Sequence, residues 1–405
     1  MKTSYKWITL MLLFVTSSAF SQQPIDSFSF LGNSFDNHWK TGSFIVRGDA
    51  FVGSNAINTA MYTDVLFRSS FTPEAKQKFL DGNQDNTNLL AERSSYFEYK
   101  ISSDKGVYAK YNNINAFKSN KEFSEMLFFG NAAFEDETVS SKNTRFTQAT
   151  SFSGGVTFKS TKGTKWNLKT AVGVNVLSDY RALNADNLSL YTSTGGAYLD
   201  AELQNLSVTE NNEDFMGIGL DFNQKIVFTP NDTNSFTFEL NNLNFNYLIN
   251  QTAIYIDTTL RFNGIEYDFI NDSSSITEFF DSSYNSVVNR GRDKKRFTIL
   301  PTTITLAWNR KLSEKSTLTA QLTAVDFGLY GITTTVGLNH SFSDRLRVHS
   351  KLGYGTFTGV VWEESVEYRT KGGYSIFGRL VGINAVALPN ASKNYGAGIG
   401  LAKQF

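Results

Sequence analysis

The sequence predicts an all-β fold: a transmembrane antiparallel up-and-down β-barrel of about fourteen strands, within a range of about twelve to sixteen. Three observations carry this. Apolar and polar residues alternate with period two over segments of about ten residues, the length a tilted strand needs to cross the hydrocarbon layer. No window after the leader reaches the roughly 18 consecutive apolar residues of a membrane helix. The chain also ends on an amphipathic segment closing with an aromatic residue, Phe405.

The first residues read as an export signal. Lys2 and Lys6 precede the apolar run Trp7 to Val15, and Ala19-Phe20-Ser21 resembles a small-residue cleavage site. Residues 1–21 are therefore expected to be a signal peptide and 22–405 a single barrel domain. Losing the two lysines leaves 36 basic against 38 acidic residues, close to neutrality.

The alternation is explicit along the mature chain. Met216, Ile218, Leu220, Phe222, Ile226 and Phe228 oppose Gly217, Gly219, Asp221, Asn223 and Lys225. Trp166, Leu168, Val172, Val174 and Val176 oppose Asn167, Lys169, Gly173 and Asn175. Tyr330, Ile332, Val336 and Leu338 face away from Gly331, Thr333, Thr335, Gly337 and Asn339. Further on, Leu346, Val348, Leu352 and Tyr354 oppose Arg347, His349, Lys351 and Gly353; Trp362, Val366 and Tyr368 oppose Glu363, Ser365, Glu367 and Arg369.

An exported soluble β-sandwich adhesin would alternate too, with its apolar faces turned inward. Aromatic residues near strand ends (Trp166, Trp308, Tyr330, Tyr354) and glycines recurring on the polar faces favour a barrel with girdles and a curved wall. In the last segment Tyr395, Ala397, Ile399, Leu401 and Phe405 alternate with Gly396, Gly398, Gly400, Ala402 and Gln404. Tyr395, Ile399, Leu401 and Phe405 resemble the signal read by the barrel-insertion machinery. Such a closing strand offers an unpaired edge and an apolar face. Between Phe236 and Ile249 the apolar phase changes at Asn241-Asn242, which predicts a β-bulge.

Short connections are expected at Leu312 to Lys315, Gly328-Leu329, Phe342 to Arg345, Thr358-Gly359, Lys371-Gly372 and Pro389 to Lys393, giving seven strands from Phe297 onward. Counted back from a periplasmic chain end, the long loop 263–296 lies outside. Its acidic first half (Glu266, Asp268, Asp272, Glu278, Asp281) and basic end (Arg290, Arg292, Lys294, Lys295, Arg296) suit either cation and lipopolysaccharide contacts or a self-neutralised solvated loop. Helical insertions are predicted in the N-terminal third, at Pro73 to Leu80 and Phe123 to Phe129.

Composition excludes several kinds of chemistry. Balanced charge, 38 basic against 38 acidic, leaves no basic footprint for nucleic acid. With no Cys, disulfides, thiolate metal sites, thiol catalysis and a lipid-anchored cysteine are impossible. There are only 3 His. His340-Ser341 and His349-Ser350 cannot each form a dyad, because adjacent strand residues point to opposite faces. No zinc-protease, P-loop or nucleophile-elbow context appears, so neither an enzyme nor a cofactor or metal site is expected.

The stretch Phe123 to Asn131 (FSEMLFFGN), the strand Gly217 to Asn223 (GIGLDFN), the hairpin Leu300 to Leu322 (LPTTITLAWNRKLSEKSTLTAQL) and the terminal strand resemble an uncharacterised family of Bacteroidota outer-membrane β-barrel proteins, itself similar in pattern to FadL-like barrels. The resemblance implies a monomeric barrel in a Gram-negative outer membrane. FadL-like barrels take up hydrophobic compounds through the barrel wall.

These readings imply a passive channel or FadL-like carrier for a small molecule, set among outer-membrane lipid and lipopolysaccharide. The alternative is a non-transporting scaffold with an envelope protein partner. The lumen-lining candidates are Lys169, Asp221, Lys225, Arg347, His349, Lys351, Glu363, Glu367 and Arg369, able either to set pore selectivity or to pair off as buried salt bridges. The face assignment has a direct test. Arginine at Leu220 or Val174 is expected to cost about 2–4 kcal/mol and impair assembly, read by heat-modifiable gel migration, while Asn223 is expected to tolerate it. Equal tolerance at all three positions would reverse the assignment.

Overall fold

The structure is a computed structural model. It describes residues 41–58, 77, 79–81, 85–211, 217–249, 251–263, 297–326, 331–356, 359–384 and 393–403. The leader, the loop segment 264–296, Gly328-Leu329, Tyr330, Met216, most of the Pro73 to Leu80 insertion and Phe405 lie outside the described residues.

Among the described residues seventeen strands form one sheet. In chain order they are β1 (Phe44–Ser54), β2 (Asn86–Lys100), β3 (Lys105–Asn120), β4 (Thr138–Lys162), β5 (Trp166–Thr192), β6 (Tyr198–Asn211), β7 (Gly217–Asn231), β8 (Asn234–Leu248) and β9 (Gln251–Asn263). Then follow β10 (Phe297–Ile299), β11 (Thr303–Lys311), β12 (Ser316–Val325), β13 (Gly331–Ser341), β14 (Leu346–Gly355), β15 (Gly359–Arg369), β16 (Tyr374–Val381) and β17 (Asn394–Lys403). Fourteen of them are the staves of a closed antiparallel barrel, with β17 pairing back onto β1 from Phe44↔Lys403 to Gly53↔Asn394. The three others are β6, β9 and the short β10, which precedes β11 in the same place beside β8.

Six short turns fall at one end, at residues 101–104, 163–165, 232–233, 312–315, 342–345 and 370–373. The other end carries the longer connections together with the short one between β14 and β15. Seven full staves, β11 to β17, follow Phe297, as the turn signals predicted.

Strand β5 is 27 residues long and pairs with a different strand along each half. Its first half pairs with β7, from Trp166↔Phe228 to Leu177↔Gly217. Its second half leaves the barrel and pairs with β6, which pairs in turn with β9. This extension packs on its own cluster, Ala185, Leu188, Leu206 and Ile256, with Phe123 of helix α1 (Lys121–Phe129) against it. The helix falls where Phe123 to Phe129 predicted one, and Asn120 caps it by accepting from the Phe123 N–H. Beyond the barrel, Arg261 holds Asp200 through two hydrogen bonds, at 2.6 and 2.5 Å, and these keep the Asp200 carboxyl below its usual range.

The alternation resolves into an outer and an inner face. Leu220, Val174, Ile399, Leu352, Tyr354, Leu380, Val336, Trp362 and Phe297 are exposed on the outside. Their strand neighbours Asp221, Asn223, Lys225, Glu239, Glu363 and Thr335 are buried within. The phase change in β8 is a bulge: pairing with β7 skips between Phe222 and Gln224, and Asn242 adopts φ 61. The Asn242 N–H donates to the Asn223 side chain at 2.9 Å, so the extra residue is held from the neighbouring stave.

That bond corrects one expectation. Asn223 is 2% exposed and also donates to Asp221 at 2.9 Å, so arginine there displaces a packed, bonded amide and is not mild.

The interior is packed across the lumen by Ile45, Tyr96, Tyr108, Ala171, Phe377 and Ala402, and separately by Phe51, Leu90, Ile114, Ala116 and Val325. Missing side chains make room for this. A Cβ at Gly173 would lie 2.4 Å from the Gly154 carbonyl oxygen and 2.5 Å from the Tyr108 hydroxyl. Gly173→Ala is therefore expected to destabilise the barrel by about 1–3 kcal/mol through overpacking. The check is the urea midpoint of heat-modifiable migration, with Gly378→Ala, a strand position with open space where the Cβ would lie, as the comparison.

Candidate functional site: the charged interior of the barrel

The inner face gathers buried carboxylates, several of which hold more than one donor. Glu98 on β2 accepts from Lys169 at 2.8 Å, Thr157 at 2.8 Å and Tyr96 at 3.1 Å, and pairs with Lys100 at 2.9 Å. Asp221 accepts from the Tyr108 hydroxyl at 2.6 Å, and Lys110 stands 3.5 Å away. Lys225 pairs with Glu239 at 3.0 Å. On the far staves Glu363 pairs with Arg379 at 2.6 Å and Lys351 at 3.4 Å. Nearer the short turns, Glu367 pairs with Arg369 at 2.8 Å and Arg347 at 3.4 Å. A buried carboxylate is costly unless its lone pairs find donors, and these contacts provide them for Glu98, Asp221 and Glu363.

The nine sequence candidates thus fall into separate groups. Lys169 and Lys225 are direct register partners across β5 and β7, with Asp221 further along the same stave. Lys351 and Glu363 are joined, and the buried Nε2 of His349, one residue position away on the inner face of β14, has no hydrogen-bond partner. Arg347, Glu367 and Arg369 form the third group. On the terminal strand, Ile399 and Leu401 are exposed on the outer face and Tyr395 is half-buried.

Sequence reasoning missed Glu98, Lys100, Lys110, Tyr108, Lys159, Glu239 and Arg379. For Glu98 the signal was present: Tyr96, Glu98 and Lys100 alternate with the exposed Phe97 and Tyr99. Glu239 sat in the same alternating strand as Phe238 and Leu240. It also missed a pair across strands, in which Ser316 Oγ lies 2.9 Å from His340 Nδ1 on the outer face near the short turns. Hydrolytic triads place the serine on Nε2 with an acid on Nδ1, and this contact uses Nδ1 for the serine.

Several hydrogen bonds join staves that are not neighbours, among them Tyr108 of β3 to Asp221 of β7 and Asn242 of β8 to Glu92 of β2, the latter at 3.4 Å. Toward the short-turn end the interior opens into a cavity of about 360 Å³, lined by Lys159, Lys169, Lys225 and Lys311, with Asp232 and Glu314 on the turns and several amides and hydroxyls between. Among the described residues no cluster of His, Asp or Glu could hold a metal ion.

No protein-family model matches the sequence, and no curated protein matches it. In three dimensions the chain is similar to several solved barrels. One is the Pseudomonas putida toluene transporter TodX, at 9% identity and TM-score 0.43, covering 90% of each chain. Another is the Ralstonia pickettii toluene transporter TbuX, at 8% identity and TM-score 0.44, again covering 90% of each chain. A third is a Pseudomonas aeruginosa FadL homologue, at 11% identity and TM-score 0.43, covering 89% of each chain.

The networks predict strong asymmetry between removing one charge and removing a pair. Glu363→Gln strips Arg379 and Lys351 of their shared carboxylate and is expected to cost about 3–5 kcal/mol. The double variant Glu363→Gln, Arg379→Gln is expected to recover much of that loss. Urea-induced unfolding in lipid vesicles checks it, and equal losses in the two variants would dissolve the pairing argument.

Proposed function

We propose that the chain is a bacterial outer-membrane β-barrel that passes a small molecule through a lumen closed at rest by its own polar side chains. The observation that carries this reading is the inversion of the usual protein: large apolar residues crowd the exposed outside of a closed sheet while Lys, Arg, Asp and Glu are buried inside. An exposed apolar surface of this extent is compatible with a bilayer and incompatible with water. A closed sheet leaves no unpaired backbone edge to hydrocarbon.

The short-turn end then faces the periplasm and the longer connections face outward, toward lipopolysaccharide. The terminal strand, through Tyr395, Ile399, Leu401 and Phe405, is what the insertion machinery would engage. Export by cleavage of residues 1–21 belongs to the same reading.

In this reading a solute passes when bonds between non-neighbouring staves, such as Tyr108 to Asp221 and Asn242 to Glu92, part. The reading is therefore of a gated conduit rather than a wide diffusion pore. No catalytic step is part of it.

The extension built by β5, β6 and β9 favours a second role, as a platform for an envelope partner, because a bare conduit does not need a sheet that stands beyond its rim. Affinity purification that returns the barrel alone from envelope extracts would count against that role.

The conduit is tested in planar bilayers. The native barrel is expected to show low or intermittent conductance, and Tyr108→Phe combined with Asn242→Ala to raise it several-fold. Neutralising Arg347 or Glu363 is expected to alter its ion selectivity. A barrel that stays silent in all of these forms, toward every solute class tested, would refute transport.

A further inference from the structure

The outer face of β11 carries a cation where the wall is otherwise apolar. Its outward row runs Leu306, Trp308, Arg310 and Leu312. In register, Arg310 stands beside Asn234 of β8 on one side and Leu318 of β12 on the other, with Leu338 of β13 beyond. Arg310 is exposed, and among the described residues it makes no ion pair and no side-chain hydrogen bond. A guanidinium without a counter-ion is among the costliest groups to leave in hydrocarbon.

Its depth explains how the wall admits it. Trp308 donates its indole N–H to the Asn234 side chain at 3.2 Å, and Asn234 opens β8 directly after the short turn 232–233. An indole that keeps its ring on the apolar wall and gives its N–H to a polar group nearer the turns marks the boundary between hydrocarbon and headgroups. Trp166 against Phe228, 4.4 Å between ring centroids, and Lys403 over the Tyr374 ring, at 4.6 Å, continue this girdle beside the turns 163–165 and 370–373. Arg310 lies two residues past Trp308, about 7 Å along the strand, and so at the level of lipid headgroups.

The surroundings are amphipathic in the way a lipid is. One row nearer the turns, Ser316 of β12 stands diagonally from Arg310, within reach of a long side chain, and its hydroxyl lies 2.9 Å from Nδ1 of His340 on β13. Leu312 and Phe342, both exposed, lie past Arg310, and the Phe342 ring meets His340 edge-on at 4.7 Å. A cation meant only for water would stand at the end of its row, and this one does not. On the other side of Arg310, Ala320 faces Trp308 on β11 and Val336 on β13, which leaves low ground between larger side chains where an acyl chain can lie.

We propose that Arg310, with Ser316 and His340 beside it, binds the phosphodiester headgroup of an anionic phospholipid in the leaflet at the short-turn end of the barrel. A guanidinium matches a phosphate with two parallel N–H donors, and a headgroup of net negative charge supplies the counter-ion that the wall lacks. The site rests on the reading of the chain as a membrane barrel and is independent of conduction through the lumen.

The test counts lipid retained by the purified full-length barrel in neutral detergent, by native mass spectrometry. The barrel is incubated with equal amounts of dioleoylphosphatidylglycerol and dioleoylphosphatidylcholine, which share chains and phosphate and differ in net charge. Preferential retention of one phosphatidylglycerol, by about tenfold, is expected. Arg310→Gln is expected to abolish the preference, and Arg310→Lys, which keeps the charge but loses the fork, to leave about threefold. Lys162→Gln, which removes an exposed cation opposite Trp166 at the same end of the barrel, is expected to leave the preference unchanged. Equal retention of the two lipids, an undiminished preference in a folded Arg310→Gln barrel, or an equal fall in Lys162→Gln would overturn the site. So would displacement of the lipid by an equal amount of inorganic phosphate, which would make it a site for a free anion. A native barrel that inserts into vesicles and migrates as folded yet shows no preference removes the site alone; a chain that inserts into vesicles of neither lipid removes the membrane barrel with it.

Discussion

Closure of the sheet is the constraint on which the remaining structure depends. A barrel wall in hydrocarbon has no water to satisfy its N–H and C=O groups, so every stave must find two neighbours. The ten-residue pairing of β1 with β17 supplies the last of these. Once the ring is closed, period-two geometry leaves each residue one of two fates, outward or inward, and a single slip inverts every residue that follows it. The bulge at Asn242 is where the chain uses that slip. Below it Thr237 and Glu239 point in; above it Asn244 and Asn246 do.

Inward-facing polar groups must then be satisfied by one another. Glu98, Asp221 and Glu363 each act as a hub for two or more donors from different staves, so the lumen is cross-braced instead of empty. Glycines are the counterpart of the bracing. The ring of Phe377 occupies the space a side chain at Gly400 would take, and Tyr108 reaches Asp221 over Gly173. Small residues on the inner wall are therefore spacers for specific long ones, not merely concessions to curvature.

The wall was legible in the sequence because its signal is local. Alternation marked Gly217 to Phe228 and Leu346 to Tyr354 as staves, and the phase change at Asn241-Asn242 located the bulge within one residue. The interior was legible only one strand at a time. Lys169 and Lys225 were both placed inside, yet nothing in their sequence separation says that they are neighbours, because β6 intervenes and is turned out of the barrel. Lys159 stands opposite Lys169 across the 163–165 turn, a register that hairpin symmetry alone could have given, and it was overlooked. Glu98 was overlooked through attention to the more regular second half, although its own alternation was clear.

Glu364 shows that the rule for the outer face is not simply that it be apolar. Its strand neighbours Glu363 and Ser365 are buried inside, so Glu364 points outward, midway along β15 between Trp362 and Val366. A carboxylate there would be expensive in lipid. The surrounding wall answers with donors: the Ser350 hydroxyl from β14 and, at 2.8 Å, the Trp362 indole N–H both point at the same Glu364 oxygen. Thr170 and Gln224 treat each other similarly, at 2.8 Å, on the outside of β5 and β7. Polar groups are thus admitted to the outer surface in pairs or triads that spend their hydrogen bonds on one another. The physical requirement is the one that closes the sheet: what hydrocarbon surrounds must already be bonded, by backbone or by neighbour, before it gets there.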